Sequence, residues 1–260
     1  MPQRADDSPR PTQRRQPAAW IAAAALAAAP PAFGAHPLEA EDTSTQGKGN
    51  IELENGMSWL RAEGATVFTY QPQISYGLTP TLDLIVQPSW IRGFDPDGAR
   101  TRGLGDTNID AKWRFHGSAP WAFGTRLGVT APTSQHGLGL PHDKVSAHAL
   151  MLATYDAAPF TFHGNVGLAR NPEGSGARTW EKRVAAAVMW AANEHLILTA
   201  EAVAVTDPNP ASGAWPVTLL AGVIYTVFPG LDLDIGYQAT VRAKVPSREW
   251  LLGITYRFAP

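Results

Sequence analysis

The sequence predicts an all-β chain: a transmembrane antiparallel β-barrel of about twelve strands, preceded by a cleaved signal peptide. Three observations support this prediction. Apolar and polar residues alternate with a period of two along most of the chain. The connections between the alternating segments are short at one end and long at the other. An apolar N-terminal run follows several arginines.

The last hairpin, residues 230–258, shows the alternation most clearly. In its first arm the apolar side chains of Leu231–Val241 share one face, and the polar side chains of Asp232–Arg242 share the other. Because successive side chains of a pleated strand point to opposite faces, this pattern indicates a strand. The second arm carries Trp250 at one end of its apolar face and Tyr256 at the other, as in a strand that spans hydrocarbon between two interfaces. The alternative is a half-buried strand of a soluble β-sandwich.

Ten earlier segments repeat the pattern. The clearest is the fourth, where Ile109, Ala111 and Trp113 alternate with polar and charged residues. Pro72 and Pro88 lie inside the second and third segments and predict a bulge or gap there, because each removes a ladder donor. The predicted strands are residues 50–60, 65–76, 81–92, 104–116, 120–131, 144–155 (ambiguous in phase because Leu150 and Leu152 interrupt the alternation), 159–169, 179–191, 195–205, 215–227, 231–241 and 250–258.

The connections predict the orientation. Those after the even-numbered strands are short, whereas residues 92–102, 132–143, 170–178 and 206–214 form longer stretches rich in Gly, Pro and Asp. Outer-membrane barrels place short turns in the periplasm and long loops outside. We therefore expect both termini on the periplasmic side. Since lipid offers no partner to an open sheet edge, we expect the last strand to pair with the first.

The N-terminus predicts export. Arg10, Arg14 and Arg15 precede an apolar run from Ala18 to Ala29, and small residues follow. This is the layout of a secretory signal peptide, which we place at residues 1–34. Residues 35–49 are polar and turn-rich, and we interpret them as a solvated periplasmic lead-in to a barrel of residues 50–258.

Composition excludes several classes of function. The sequence has no cysteine, so disulfides and thiolate chemistry are impossible, and it has no basic run suited to nucleic acid. We expect no cofactor and no metal site. His136 and His142 flank a glycine-rich loop that we interpret as solvated.

The polar faces of the strands predict a wet lumen. Charges of both signs are interleaved there, which fits a narrow passive channel for small solutes or, alternatively, a structural salt-bridge network in a plugged barrel. The lumen-lining candidates are Asp106, Asn108, Asp110, Lys112, Arg114, Arg126, His163, Glu181, Arg183, Glu201, Asp232, Asp234, Gln238, Arg242 and Arg257, with Asp83 and Asn165 beside them.

A third alternative is an enzyme. Some barrel lipases carry Ser and His two residues apart on the lipid face, and Ser146 and His148 have that spacing. Their phase predicts that both face inward, and the sequence alone assigns no acidic partner to the histidine.

Two stretches carry a family resemblance. They are His36-Pro37-Leu38-Glu39 with the following Gln46-Gly47-Lys48-Gly49-Asn50, and Gly103-Leu104-Gly105-Asp106 with Ala111-Lys112-Trp113-Arg114-Phe115. Together they resemble outer-membrane transporter-like proteins of the meta-pathway of phenol degradation family. The resemblance implies a barrel in contact with outer-membrane lipids that passes small aromatic or apolar compounds. Tyr256-Arg257-Phe258 also resembles the terminal signal read by the barrel-assembly machinery, although Ala259 and Pro260 follow it.

Overall fold

The computed structural model describes residues 36–96, 98–134 and 144–258, so the predicted signal peptide lies outside it. All strands of the described residues belong to one sheet, and every pairing in it is antiparallel. The strands are β1 (Ile51–Ala62), β2 (Ala65–Thr79), β3 (Leu82–Gln87), β4 (Trp90–Phe94), β5 (Arg100–Leu104), β6 (Thr107–Ser118), β7 (Trp121–Ala131), β8 (Ser146–Ala157), β9 (Phe160–Arg170), β10 (Trp180–Ala191), β11 (Leu196–Val205), β12 (Val217–Phe228), β13 (Leu231–Arg242) and β14 (Ser247–Phe258).

These fourteen segments make twelve barrel strands, which confirms the predicted number. β3 and β4 follow one another along the same edge of β2, and β5 and β6 follow one another along β4 and β3. Counting each of these two pairs once leaves fourteen minus two, or twelve. β1 pairs with both β2 and β14, so the sheet closes on itself and the predicted contact between the first and last strands is confirmed.

The break between β3 and β4 falls at Pro88, as the sequence predicts, because proline cannot donate to the ladder. Pro72 has a different effect on each edge of β2. Its register with β1 is unbroken, opposite Asn55, but residues 71–73 have no partner on the β3–β4 side. The two prolines therefore interrupt the same strand pairing, that of β2 with β3 and β4.

The outer face is apolar and the inner face is mostly polar. Leu233, Ile235 and Trp113 keep 41%, 43% and 50% of their surface exposed, because no second sheet covers them. Leu150 and Leu152, whose phase was ambiguous in the sequence, are buried and share the inner face with His148. The alternation of a lipid-facing barrel is therefore present on the described strands.

The ends of the barrel differ as predicted. Short turns join β2 to β3, β6 to β7, β8 to β9, β10 to β11 and β12 to β13 at the end that we call the turn side. Longer connections lie at the other end, the loop side, with short exceptions after β1, β4 and β13. The predicted long connection of residues 92–102 is therefore wrong, because β4 and β5 extend into it and leave only residues 95–99 between them. No helix among the described residues is long and apolar enough to cross a membrane.

Candidate functional site

The barrel lumen contains a stretch of the chain itself. Residues 36–46, which we call the inner segment, contact inward-facing side chains on strands all around the ring, from Asp234 on β13 to Asp83 on β3. Within this segment Leu38, Ala40, Glu41 and Thr43 are buried. The prediction of a solvated lead-in is therefore wrong for these residues. A polar composition suits a polar lumen as well as it suits water.

Strand side chains satisfy the backbone of the inner segment. The carboxylate of Glu201 accepts hydrogen bonds from the N–H groups of Glu39, at 2.9 Å, and Ala40. The Asn165 side chain accepts from the N–H of Glu41 at 2.7 Å and donates to its carbonyl at 2.8 Å. The segment is not a sheet strand, so its buried backbone groups need such partners. These bonds fix its path across the lumen.

A buried charge network holds the middle of the inner segment. Lys112 Nζ lies 2.7 Å from Glu41 Oε1 and 3.0 Å from Asp42 Oδ1. Arg126, which is completely buried, forms ion pairs with Glu41 and, at 2.7 Å, with Asp110. Each cation thus joins the barrel wall to the segment, and the buried charges have opposite charges beside them.

The Asp42 carboxyl feels two opposing effects. Burial, the largest single effect, raises its pKa, but attraction to Lys112 and His163 and hydrogen bonds from Lys112 and the Ser44 N–H together lower it by more, so the net pKa lies below its ordinary value. Its ionised form is therefore the form that the docked segment favours.

A histidine–carboxylate contact and an ion pair anchor the beginning of the segment. His36 Nδ1 lies 2.5 Å from Asp234 Oδ1, and Arg183 lies 2.9 Å from Glu39. Inward-facing glycines make this approach possible: a Cβ built at Gly253 would overlap both Asp234 and His36, and one built at Gly236 would lie 2.8 Å from Pro37. The absence of side chains at these glycines therefore leaves room for the inner segment against the wall.

The opposite wall of the lumen carries an apolar cluster. Leu38 and Ala40 pack there with inward-facing residues of β10, β11, β12 and β14, namely Ala185, Ala187, Val203, Leu220 and Leu251. This burial stabilises the docked segment by removing its apolar side chains from water. The inner segment therefore lies between the charge network on the β6–β7 side and a mixed wall on the β10–β12 side, where this apolar cluster adjoins Arg183 and Glu201.

The structure brings eight of the seventeen predicted lumen residues together around the inner segment. Lys112, Arg126, Asp110, Arg183, Glu201 and Asp234, together with Asn165 and Asp83, belong to the contacts described above. Three others have hydrogen-bond partners on the wall: Asn108 bonds Gln87 and Thr130, His163 lies 3.1 Å from Thr154, and Gln238 bonds Glu249.

The remaining predicted residues lie apart from the network. Arg257 pairs with Asp232 at 2.5 Å and with Glu52 at 2.7 Å near the turn side. Arg242 is exposed at the end of β13. The other three bond elsewhere: Asp106 accepts from Ser134, Arg114 donates to Pro80, and Glu181 accepts from Asn171.

Several site residues were missed by sequence reasoning. Glu54 accepts from Gln73 at 2.5 Å and from His36, and His148 Nε2 lies 2.5 Å from Asp110. The alternation of β1 and β2 places Glu54 and Gln73 on the inner face, so their inward position could have been predicted from the sequence. The pairing of His148 with Asp110 could not have been predicted, because it depends on strand register.

Among the described residues, no group of three or more histidines and carboxylates is placed to hold a metal ion. His136 and His142 lie outside the described residues.

The sequence matches one family model over residues 34–258, almost the whole of the predicted mature chain. That family is described as "Putative MetA-pathway of phenol degradation". The chain belongs to this family. The resemblance drawn from its two sequence stretches is thereby confirmed. No curated protein matches the sequence.

Solved structures with the same fold are outer-membrane barrels. This phenol-degradation family chain is similar to an outer membrane channel from Pseudomonas putida F1, with a TM-score of 0.67 and 12% identity over 84% of this chain and 98% of that one. It is also similar to the NanC porin, with a TM-score of 0.60 and 10% identity over 78% and 98% of the two chains. It is similar as well to the KdgM porin in complex with disordered oligogalacturonate, with a TM-score of 0.57 and 7% identity over 79% of this chain and 99% of that one. At these identities the likeness establishes the fold.

Proposed function

We propose that this protein is a passive outer-membrane channel for small molecules, and that the inner segment sets the width of its path. The observation that carries the proposal is the position of residues 36–46, which cross the lumen between the Lys112–Arg126 charge network and a wall that holds both an apolar cluster and Glu201. Ion pairs, hydrogen bonds and apolar packing hold the segment there. Such contacts can open and re-form, whereas the ring of strands is continuous.

The solute class follows from the family and from the apolar cluster of the lumen. The family's description refers to phenol degradation. Release of the inner segment would uncover Leu220, Val203 and Leu251, and these side chains would offer an apolar surface to an aromatic or apolar solute. Small aromatic or apolar molecules are therefore the solutes that we propose.

The proposed setting is the outer membrane, with the turn side and both termini in the periplasm. Ile51 and Phe258 are paired at the turn side, and the long connections are at the other end. Tyr256-Arg257-Phe258 ends β14, where the barrel-assembly machinery would read it. These features support the placement.

The lipase alternative is less well supported. His148 is buried on the inner face, where its ring meets Asp110 rather than lipid acyl chains. Asp110 is also engaged by Arg126, so its carboxylate already serves a buried ion pair. The plugged structural barrel stays the main alternative to a channel.

Electrical recording separates the channel from the structural barrel. The full mature chain and a variant lacking residues 36–46 would be reconstituted in planar bilayers, with heat-modifiable gel migration as the test of folding. We expect small, fluctuating currents from the full chain and a larger, steadier conductance from the deletion variant. Absence of current from both folded proteins would overturn the channel.

Uptake by cells addresses the solute class. Wild-type cells, cells lacking the gene and cells carrying the deletion variant would be supplied with a labelled aromatic compound at low concentration. We expect slower uptake without the gene and restored uptake with either chain. Equal uptake by all three strains, together with measurable conductance, would support a channel but contradict the proposal that aromatic compounds are its solutes.

A further inference from the structure

The outer face of the barrel carries unequal charge at its two ends. On the loop side, exposed basic side chains occur at the outward positions of several strands: Arg61, Arg92, Arg100, Arg102, Arg170, Lys182 and Arg248. On the turn side, the outward positions of the described strands hold aromatic and aliphatic residues such as Trp113, Phe162 and Tyr256, and no arginine or lysine.

Five of these arginines form one patch, the arginine patch: Arg61, Arg92, Arg100, Arg102 and Arg248. Strand register places Arg61 directly opposite Arg248 on β1 and β14, and Arg92 directly opposite Arg102 on β4 and β5. Like charges directly opposite one another destabilise a sheet. An anionic ligand bound at these two pairs would relieve the repulsion within each of them.

The nearby turn between β1 and β2 does not supply that negative charge. Its carboxylate, Glu63, is exposed and forms none of the ion pairs found among the described residues. Instead, the guanidinium groups of Arg92 and Arg100 lie 4.7 Å and 5.8 Å from the ring centroid of Phe94. That ring aligns the two cations without neutralising them.

The surface beneath the patch suits acyl chains. Trp250, Trp59 and Phe68 lie in register at the level of Arg92 and Arg102. The next row toward the turn side contains only large side chains with apolar surface: Leu252, Met57, Tyr70, Trp90 and Leu104. A ligand that fits the whole surface has anionic groups at one end and hydrocarbon at the other.

We propose that the arginine patch binds the phosphate groups of a phosphorylated lipid of the outer leaflet, with the acyl chains of that lipid lying on the rows beneath. One guanidinium group can bind two oxygens of a phosphate at once. Two pairs of opposed arginines therefore match a ligand with more than one phosphate. A free phosphate ion would use the cations and leave the apolar rows without a partner. The proposal assumes the outer-membrane setting and is independent of whether the lumen conducts.

The test measures binding of lipid A, the diphosphorylated anchor of lipopolysaccharide, to the mature chain in detergent by native mass spectrometry. Two double variants remove the opposed pairs: Arg61→Gln with Arg248→Gln, and Arg92→Gln with Arg102→Gln. The matched control is Arg170→Gln with Lys182→Gln, which removes the same charge from β9 and β10, away from the patch. Heat-modifiable migration confirms that each variant is folded.

The expected result is a loss of lipid A affinity of about tenfold in each patch variant and little change in the control. Dephosphorylated lipid A should bind the wild-type chain as weakly as lipid A binds the patch variants. An equal loss in the control would show general charge attraction and overturn the proposal. Displacement of lipid A by inorganic phosphate at similar concentration would show an anion site without lipid recognition, which also overturns it.

Discussion

The Nζ of Lys112, on the barrel wall, lies 2.7 Å from Oε1 of Glu41, on the inner segment. The other oxygen of the same carboxylate pairs with Arg126. One carboxylate of the segment therefore neutralises two buried cations of the wall. Breaking a buried pair by removing one partner costs about 3–5 kcal/mol, because the remaining charge is left without compensation. Glu41 is thus the side chain on which docking of the segment depends most.

Glu41→Gln should weaken docking of the inner segment while leaving the strand pairings of the barrel in place. Lys112 would keep Asp42, and Arg126 would keep Asp110, but the link between the two cations would be lost. We expect more frequent and larger open events in planar bilayers than for the wild-type chain. Unchanged currents would show that the segment does not limit conduction.

The control for that variant is Glu173→Gln. Glu173 pairs with Arg170 at 3.9 Å, and the two side chains are 86% and 52% exposed. Exposed pairs contribute about 0–1 kcal/mol. The control should therefore show wild-type currents and wild-type heat-modifiability, and a change equal to that of Glu41→Gln would point to a general effect of charge.

Gly253→Ala should displace the beginning of the inner segment. The new Cβ would overlap Asp234 and His36, which are joined by a 2.5 Å contact. Gly164→Ala is the matched control, because nothing lies within 4 Å of the Cβ position there. We expect increased conductance in planar bilayers for Gly253→Ala but not for Gly164→Ala. Heat-modifiable migration in gels confirms that both variants are folded. Equal behaviour of the two variants would mean that the His36–Asp234 contact does not hold the segment.

Acid should release the inner segment in part through Asp42. Its pKa is lowered in the docked state, so its contribution to docking is fully present above its ordinary value of 3.8 and is lost as the pH falls below that value. We expect conductance to rise between about pH 4 and pH 2, with a smaller rise in Asp42→Asn. An identical rise in both proteins would assign the effect to other carboxylates.

The sequence could predict the barrel because lipid imposes a simple rule on every strand. Leu233 and Ile235 face lipid while Asp232 and Asp234 face inward, and that period of two is visible in the sequence. The break at Pro88 follows from its missing donor. Both inferences are local, and they needed no knowledge of tertiary contacts.

The inner segment could not be predicted in the same way. Glu41 is polar, and its polarity is equally compatible with water and with the paired cations Lys112 and Arg126. Its partners lie 71 and 85 residues away, on strands whose register only the closed ring defines. Leu150 shows the same limit, because an apolar residue on the inner face makes sense only once the lumen is known to be partly filled.

Leu38→Ala tests the apolar half of the docking contact. Leu38 is 3% exposed among Ala185, Val203 and Leu251, and truncating a buried leucine to alanine costs about 2–5 kcal/mol. The strands themselves stay paired, so the loss falls on the equilibrium between docked and released segment. A glutamate-specific protease that cuts after Glu39 or Glu41 reports the released population when opening and closing are fast.

We expect cleavage after Glu39 and Glu41, identified from the masses of the products, to be at least about tenfold faster in the folded Leu38→Ala protein than in the wild-type chain. Exposed glutamates such as Glu173 and Glu194 are cut in both proteins and are left out of the comparison. Leu78→Ala is the control, because Leu78 is 45% exposed on the outer face and its truncation leaves the lumen unchanged. Cleavage at the wild-type rate in Leu38→Ala would mean that the charged contacts alone hold the segment. Equally fast cleavage in both variants would place the weakness in the barrel wall.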